Sequence, residues 1–353
     1  MSRRRVTDAR VTSAVVRALV DPMAGAASDY RGHLASVAAS LCDVLRADAG
    51  PDEDEEDVRN RVYRYYVPVY EEVMTRLRAR RAARGASTGP MIVGVSAPQG
   101  CGKTTLTRTI VDMIRSTPRR FIDESLPDDG SCVTAATLSM DDFYLTADEQ
   151  MALAAANPEN LLLQYRGNAG THDLELGTKT LEALSVINEA HSSSVLMPRY
   201  NKLARGGRGD RKPTCEWESV SAPLDVVLLE GWMLGFEPID DEKARAIDPQ
   251  LVAVNDYLKQ YKAALWGNGR VAWWIVFKVN EPKWVYDWRL EAERRAGGGL
   301  TDEQVKDFVD RFMPAYHAYL PALYERPPPE SLVVVVDKFR EVLMVHVSSD
   351  EHE

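Results

Sequence analysis

Ser96-Ala97-Pro98-Gln99-Gly100-Cys101-Gly102-Lys103-Thr104-Thr105 is the stretch that decides how this chain is read. It follows the apolar run Met91-Ile92-Val93-Gly94-Val95 and opens an amphipathic run from Leu106 to Ile114. Strand, glycine-rich turn and helix, in that order, are the setting of a phosphate-binding loop. Gly100 and Gly102 let the backbone bend so that successive N–H groups converge on an anion. The helix that follows adds the positive end of its dipole. The candidate phosphate contacts are therefore Ala97, Pro98, Gln99, Gly100, Cys101, Gly102, Lys103, Thr104 and Thr105. Lys103 can neutralise the outer phosphates of a nucleotide, and the Thr104 hydroxyl can bind Mg²⁺. Ala97 stands where the general G-x-x-x-x-G-K-[ST] pattern has its first glycine. Cys101 reads as a small filler of the loop, with a redox switch as the alternative.

The rest of the composition narrows the partners. The chain has 353 residues, with 45% hydrophobic and 27% charged side chains, ordinary for a globular protein with a large core. A formal charge of -10 argues against a nucleic-acid backbone as the main partner, so small anions must be gathered by a local basic site. The four cysteines, Cys42, Cys101, Cys132 and Cys215, are scattered without metal-ligand spacing, which suits reduced thiols. No apolar run is long enough to span a membrane, and Met1-Ser2-Arg3-Arg4-Arg5 lacks the apolar segment of a secretion signal. A cytoplasmic protein is expected, with the chloroplast or another organelle as the alternative.

Two regions are expected. Residues 1–88 form an N-terminal helical region, helical from 11 to 85, in which Tyr63, Tyr65, Tyr66 and Tyr70 pack on the following domain. The acids 52–57 read as a solvated loop running into a helix N-terminus. Residues 89–353 form the phosphate-loop domain, with a substrate-binding insertion at about 146–223 and a lid at about 284–312. Strands are expected at 91–95, 133–139, 224–229, 271–279 and 332–336. Helices are expected at 102–115, 146–156, 174–190, 248–265, 281–295 and 302–320. Runs such as Val226-Val227-Leu228-Leu229 suit strands buried on both faces. The fold class is α/β: a three-layer P-loop NTPase arrangement around a mostly parallel five-stranded sheet.

Several polar clusters follow the strands. Asp141 and Asp142 come just after 133–139, where an open parallel sheet binds ligands; a carboxylate there can take the proton of an attacking hydroxyl. Glu230 ends a very apolar strand and can hold a metal ion beside the phosphates. Tyr165 to Asp173 is dense in polar groups. From Arg199 to Lys212 there are six bases and one acid, against the acidic balance of the chain. This stretch is either a solvated loop or a collector of anions. Arg289 and Arg294 lie on a helix that precedes Gly297-Gly298-Gly299. They can close over a triphosphate, or simply form pairs along the helix such as Glu291 with Arg295. The five tryptophans from Trp266 to Trp288 read as core. The residues alone reach phosphoryl transfer to a small, anionic hydroxyl compound.

Taken together, these motifs resemble the D-glycerate 3-kinase family of plants and fungi, within the P-loop kinases that include uridine kinase, pantothenate kinase and phosphoribulokinase. The resemblance runs over Gly94 to Leu106, Asp141-Asp142-Phe143-Tyr144-Leu145-Thr146, Tyr165-Arg166-Gly167-Asn168-Ala169-Gly170 and His172-Asp173. It continues through Pro198-Arg199-Tyr200-Asn201-Lys202, Gly207 to Arg211, Leu229 to Phe236, Asp248 to Leu251, Trp288-Arg289-Leu290 and Pro314 to Pro321. Ala97 belongs to this family's version of the loop. The loop from Phe121 to Ser131 and the three glycines at 297–299 depart from the family pattern.

The resemblance implies ATP and D-glycerate as substrates, with Mg²⁺. It implies Asp141 as base, Lys103 and Arg289 at the transferring group, Thr104 and Glu230 on the metal side, and Asp142 either on the metal side or as a carboxylate that supports the site from behind. Arg166, Asn168, His172, Asp173, Arg199, Tyr200, Lys202, Arg208 and Arg211 would surround the glycerate. No nucleic-acid or membrane partner is expected, and a monomer is favoured. The resemblance begins too near Met1 to leave room for a full transit peptide. A kinase for pantothenate, a nucleoside or a sugar phosphate is the alternative, and more distantly an ATP-binding regulatory protein.

Overall fold

The β-branched runs do form strands buried on both faces. In the computed structural model, which describes residues 26–48, 54–84, 89–189, 193–295 and 301–348, they join one further strand in a six-stranded sheet. Its strands are β1 (Met91–Ser96), β2 (Ala135–Ser139), β3 (Val226–Gly231), β4 (Trp273–Val279), β5 (Leu332–Val336) and β6 (Val342–Val347). Their order is β6-β5-β4-β1-β3-β2, parallel throughout except for the antiparallel β5–β6 pair. The five expected strands are all present. β6 makes the sheet six-stranded rather than five-stranded. Its residues are mostly part-exposed, as on an edge, and its turn lacks a strong hairpin signature, with Arg340 at φ +65° in place of glycine.

The register places the chemistry. Val95 pairs with Glu230, Ser96 with Gly231, and Ser139 with Glu230. The carboxyl ends of β1, β2 and β3 therefore lie side by side, bringing the phosphate loop, the acids after β2 and Glu230 to one edge. The helix Lys103–Arg115 buries Leu106, Ile110, Val111, Met113 and Ile114, and its remaining face carries polar groups.

Other helices differ at their ends. The one expected at 174–190 stops at Ser185, and 248–265 divides into Leu251–Leu258 and a wide turn, Lys262–Trp266. The helix expected at 302–320 breaks into Asp302–Asp310 and Met313–Glu325, with Pro314 in the first turn of the second, where a missing N–H costs nothing. The expected loop 191–223 holds two short antiparallel pairs, Ser194–Met197 with Glu218–Ser221 and Tyr200–Asn201 with Asp210–Arg211. Strands this short leave no periodicity to read.

At the N-terminal side, Ala26–Asp48, Glu55–Arg61 and Val67–Arg84 are helical, joined by a wide turn at Val62–Tyr66. Tyr65, Tyr66, Tyr70, Val73 and Met74 are buried in the common core, and the hydroxyls of Tyr70 and Thr117 bond at 2.7 Å. Asp54 caps its helix by accepting from the Asp57 N–H at 2.8 Å, as the acidic run suggested. The apolar stripe at 15–20 and the acids Asp52 and Glu53 lie outside the described residues. Trp266, Trp273, Trp274 and Trp288 are core residues, and Trp284 is partly buried against it. Among the described residues no helix is long and apolar enough to cross a membrane.

Candidate active site

The phosphate loop is held from outside at three points. The Ala97 N–H donates to the Gly231 carbonyl at 3.2 Å, and the Gln99 N–H to the Tyr316 hydroxyl at 3.0 Å. The Gly100 carbonyl accepts from Arg340 Nε at 2.7 Å. Gly100 has φ +79°, and a Cβ there would lie 2.7 Å from Cβ of Trp288, so both conformation and space demand glycine. Gly102, at φ +99°, turns the chain into the helix that starts at Lys103. Ala97 and Cys101 are buried. Burial pushes the Cys101 thiol up to about 11, which keeps it protonated and favours the filler role over a redox switch. Thr104 and Thr105 are exposed at the helix start.

Lys103 points to Glu230 and makes a charge contact with its Oε2. Burial opposes the charge on Lys103, but the carboxylates of Glu230 and Asp141 outweigh it and raise the pKa of the ammonium. Glu230 Oε2 is buried yet accepts no aligned hydrogen bond.

The acids after β2 have different surroundings. Asp141 Oδ2 accepts from Lys202 Nζ at 2.6 Å, and the Tyr144 hydroxyl also donates to this carboxylate. Burial favours protonation of Asp141, but the ammoniums of Lys202 and Lys103 prevail and hold it well below the usual carboxylate range. Asp142 accepts from the Tyr200 N–H at 3.0 Å on one oxygen. On the other it accepts from the Ser139 N–H and from Arg199 Nη1, both at 3.3 Å. Burial, only partly countered by Arg199, raises the pKa of Asp142 to about 6. Both its oxygens are committed to holding the basic loop against β2, and neither is free for a metal ion.

Several expected ligand contacts are occupied by the protein itself. Arg166 donates to the carbonyls of Gly207 at 2.8 Å and Lys202 at 3.2 Å, and also to that of Arg208, so it is the axle around which 202–208 curls. Arg199 also pairs with Glu218. Arg211 bonds the Tyr144 carbonyl and Asp173 Oδ2, each at 3.0 Å, while Asp173 caps the helix Leu174–Ser185. Asn168 is buried and donates to the carbonyls of Leu162 and Arg311. Tyr200 packs edge-on against Tyr144, with centroids 5.4 Å apart, and its buried hydroxyl has no partner. Arg208 lies over the Tyr165 ring at 5.3 Å and lines a pocket with Gln150 and Met151. On the helix Trp284–Arg295, Arg289 pairs with Glu293 at 3.1 Å and lies over Phe308, and Arg294 pairs with Asp302. Glu291 accepts from Arg340 at 2.6 Å. The glycines at 297–299 lie outside the described residues.

His172 is buried, with Nδ1 2.9 Å from the Tyr261 hydroxyl and its ring 4.5 Å from that of Tyr144. Burial lowers its pKa to about 4, and Asp141 only partly counters this. The unfolded chain therefore binds this proton more readily between about pH 4 and 6.5. The stabilisation is full above 6.5 and is lost as the pH falls toward 4, by about 3 kcal/mol. Urea midpoints measured from pH 7 to 4 should fall less steeply for His172→Gln than for the unaltered chain.

Three contacts escaped the sequence reading. Tyr316 lies within the quoted stretch Pro314 to Pro321, but nothing in the sequence ties its hydroxyl to the phosphate loop. Arg340 sits in a turn beyond an unpredicted hairpin, where its place after a parallel strand was the one usable signal. Tyr144 carries its hydroxyl to Asp141 from within the quoted motif.

A strand, phosphate loop and helix joined to two acidic strand ends make a phosphoryl-transfer site. No family model matches the chain. It is 43% identical over 297 residues to an Arabidopsis thaliana protein named D-glycerate 3-kinase, chloroplastic, a match covering 81% of this chain and 61% of that protein. It is 36% identical over 239 residues to a probable ATP-dependent kinase, TDA10, of Saccharomyces cerevisiae, covering 65% of this chain and 78% of the relative. A solved D-glycerate 3-kinase from Cryptococcus neoformans superposes with a TM-score of 0.68 at 29% identity, covering 80% of this chain and 99% of the other. The chain thus spans about three-fifths of the plant relative and nearly all of the fungal structure. The chain belongs to a family of ATP-dependent P-loop kinases, and within it is similar to proteins named D-glycerate 3-kinase from a plant and a fungus.

Proposed function

We propose that the protein transfers the γ-phosphoryl group of ATP to the 3-hydroxyl of D-glycerate. The observation that carries this reading is Asp141, a carboxylate between the phosphate-loop lysine and Lys202 of the basic loop. One ammonium suits the phosphates and the other suits a carboxylate on the acceptor. Arg166 and Arg199 are spent on protein partners, whereas the Lys202 ammonium stands at the surface beside Asp141 and is the candidate receptor for the glycerate carboxylate.

The phosphate-loop amides and Lys103 grip the triphosphate. The glycerate hydroxyl gives its proton to Asp141 while its oxygen bonds to the γ-phosphorus. The bond from that phosphorus to the bridging oxygen breaks, and ADP leaves with the electron pair. Arg289 is the candidate for closing on the transferring group. Asp142 and Arg199 position the loop that carries Lys202, and Asn168, Asp173 and Arg211 hold the insertion in shape.

Mg²⁺ fits this donor set. Glu230 has a buried oxygen without an aligned donor, Thr104 offers an exposed hydroxyl, and no group of three His, Cys, Asp or Glu cages a metal among the described residues. An ion held this way leans on phosphates and water for its other ligands, as Mg²⁺ does, and it would neutralise charge on the triphosphate. A panel of D-glycerate, pantothenate, uridine and a sugar phosphate, read by coupled ADP release, tests the acceptor. D-Glycerate should give the highest kcat/KM, and a higher value for any other compound overturns the assignment.

A further inference from the structure

Two ammonium groups converge on Asp141, and each rides on an element suited to a different anion. Lys103 starts the phosphate-loop helix, and its charge acts on Asp141 from beside Glu230. Lys202 stands on the basic loop and donates to Asp141 Oδ2 at 2.6 Å. That oxygen faces the same cation that an acceptor carboxylate would seek. The backbone beneath Lys202 is fixed, because its carbonyl accepts from Arg166 at 3.2 Å, and Asp142 fixes the neighbouring strand through the Tyr200 N–H. The Lys202 side chain, by contrast, is 56% exposed and has Asp141 as its carboxylate partner. A fixed base with a solvent-exposed arm can trade one carboxylate for another, since the ammonium lies at the surface and the new pair replaces the old one.

Resting on the glycerate reading, we propose that Lys202 is a gate on the base. With no anionic acceptor it covers Asp141 and keeps ATP from being spent on water. An acceptor's carboxylate draws Lys202 away and exposes Asp141 to the hydroxyl beside that carboxylate. ATP alone relieves only Lys103. A neutral polyol such as glycerol cannot make the exchange, because it must break the Lys202–Asp141 pair and give the ammonium nothing in return. The gate thus selects for a hydroxy acid and suppresses hydrolysis with one side chain. In the suppressed reaction, water oxygen would bond to the γ-phosphorus, its proton would pass to Asp141, and ADP would leave with the electron pair of the broken bond.

The test is Lys202→Met, which keeps the length and removes the charge. ATP hydrolysis without acceptor should rise at least about five-fold over the unaltered protein, while KM for D-glycerate rises at least about ten-fold. A purely structural role would lower hydrolysis along with everything else. Unchanged or lower hydrolysis in a folded K202M overturns the gate. Should K202M fail to fold, the unaltered protein decides the matter with glycerol as acceptor and acetate added as a detached carboxylate. Acetate should speed glycerol phosphorylation, and no effect of acetate overturns the gate. The two readings fail separately. Absence of D-glycerate phosphorylation with a normal rise in K202M hydrolysis sinks the substrate and keeps the gate. Normal glycerate turnover with no rise sinks the gate alone.

Discussion

Asp141→Asn is expected to lower kcat about a thousand-fold while ATP affinity stays within a factor of about two. The amide keeps the size of the carboxylate but cannot take the hydroxyl proton. The backbone anchors of the phosphate loop lie elsewhere, at Gly231, Tyr316 and Arg340, and Lys103 keeps its ion pair with Glu230 when the charge of Asp141 is removed. The loss should therefore fall on the chemical step, with kcat and kcat/KM for glycerate reduced together. Stability should change little, because the Lys202 released by the substitution is half exposed and can be hydrated. Nearly full kcat in D141N, measured by coupled ADP release, would remove Asp141 from the role of base.

Lys103→Met should be damaging twice over. It takes the cation from the triphosphate, for an expected loss of about a thousand-fold or more in kcat/KM for ATP. It also strands Glu230, whose side chain is 10% exposed and forms an ion pair with Lys103. Removing one partner of a buried pair costs about 3–5 kcal/mol. The double variant with Glu230→Gln separates the two effects. It should regain most of the urea midpoint lost in K103M while staying inactive. A K103M protein as stable as the unaltered chain would mean that the pair contributes nothing, and recovery of activity in the double variant would contradict the phosphate role.

The sheet was legible because its strands are buried on both faces and so read as unbroken apolar runs, Val333-Val334-Val335-Val336 among them. The phosphate loop was legible because its glycines and lysine sit at fixed offsets between strand and helix. The edge strand Val342–Val347 was not, since half exposure dilutes its pattern and an arginine takes its turn. The basic loop shows a different limit. Counting bases from Arg199 to Lys212 finds the charge but not its partners. Arg166 and Arg211 look like ligand-binding groups in one dimension, yet each is consumed by carbonyls or an acid brought close by the fold. Asp141 and Asp142, adjacent in the chain, part company for the same reason: one meets two lysines, the other two backbone amides and an arginine.

Everything proposed for the site turns on transfer of the γ-phosphoryl group to the 3-hydroxyl of D-glycerate. Incubation of the full chain with ATP, Mg²⁺ and carbon-13-labelled D-glycerate, followed by phosphorus and carbon NMR, tests it most directly. ATP consumption should depend on glycerate, and a new phosphate ester should appear coupled to the terminal carbon, the signature of 3-phosphoglycerate. A phosphate on the second carbon, or ATP consumption indifferent to glycerate, would contradict it.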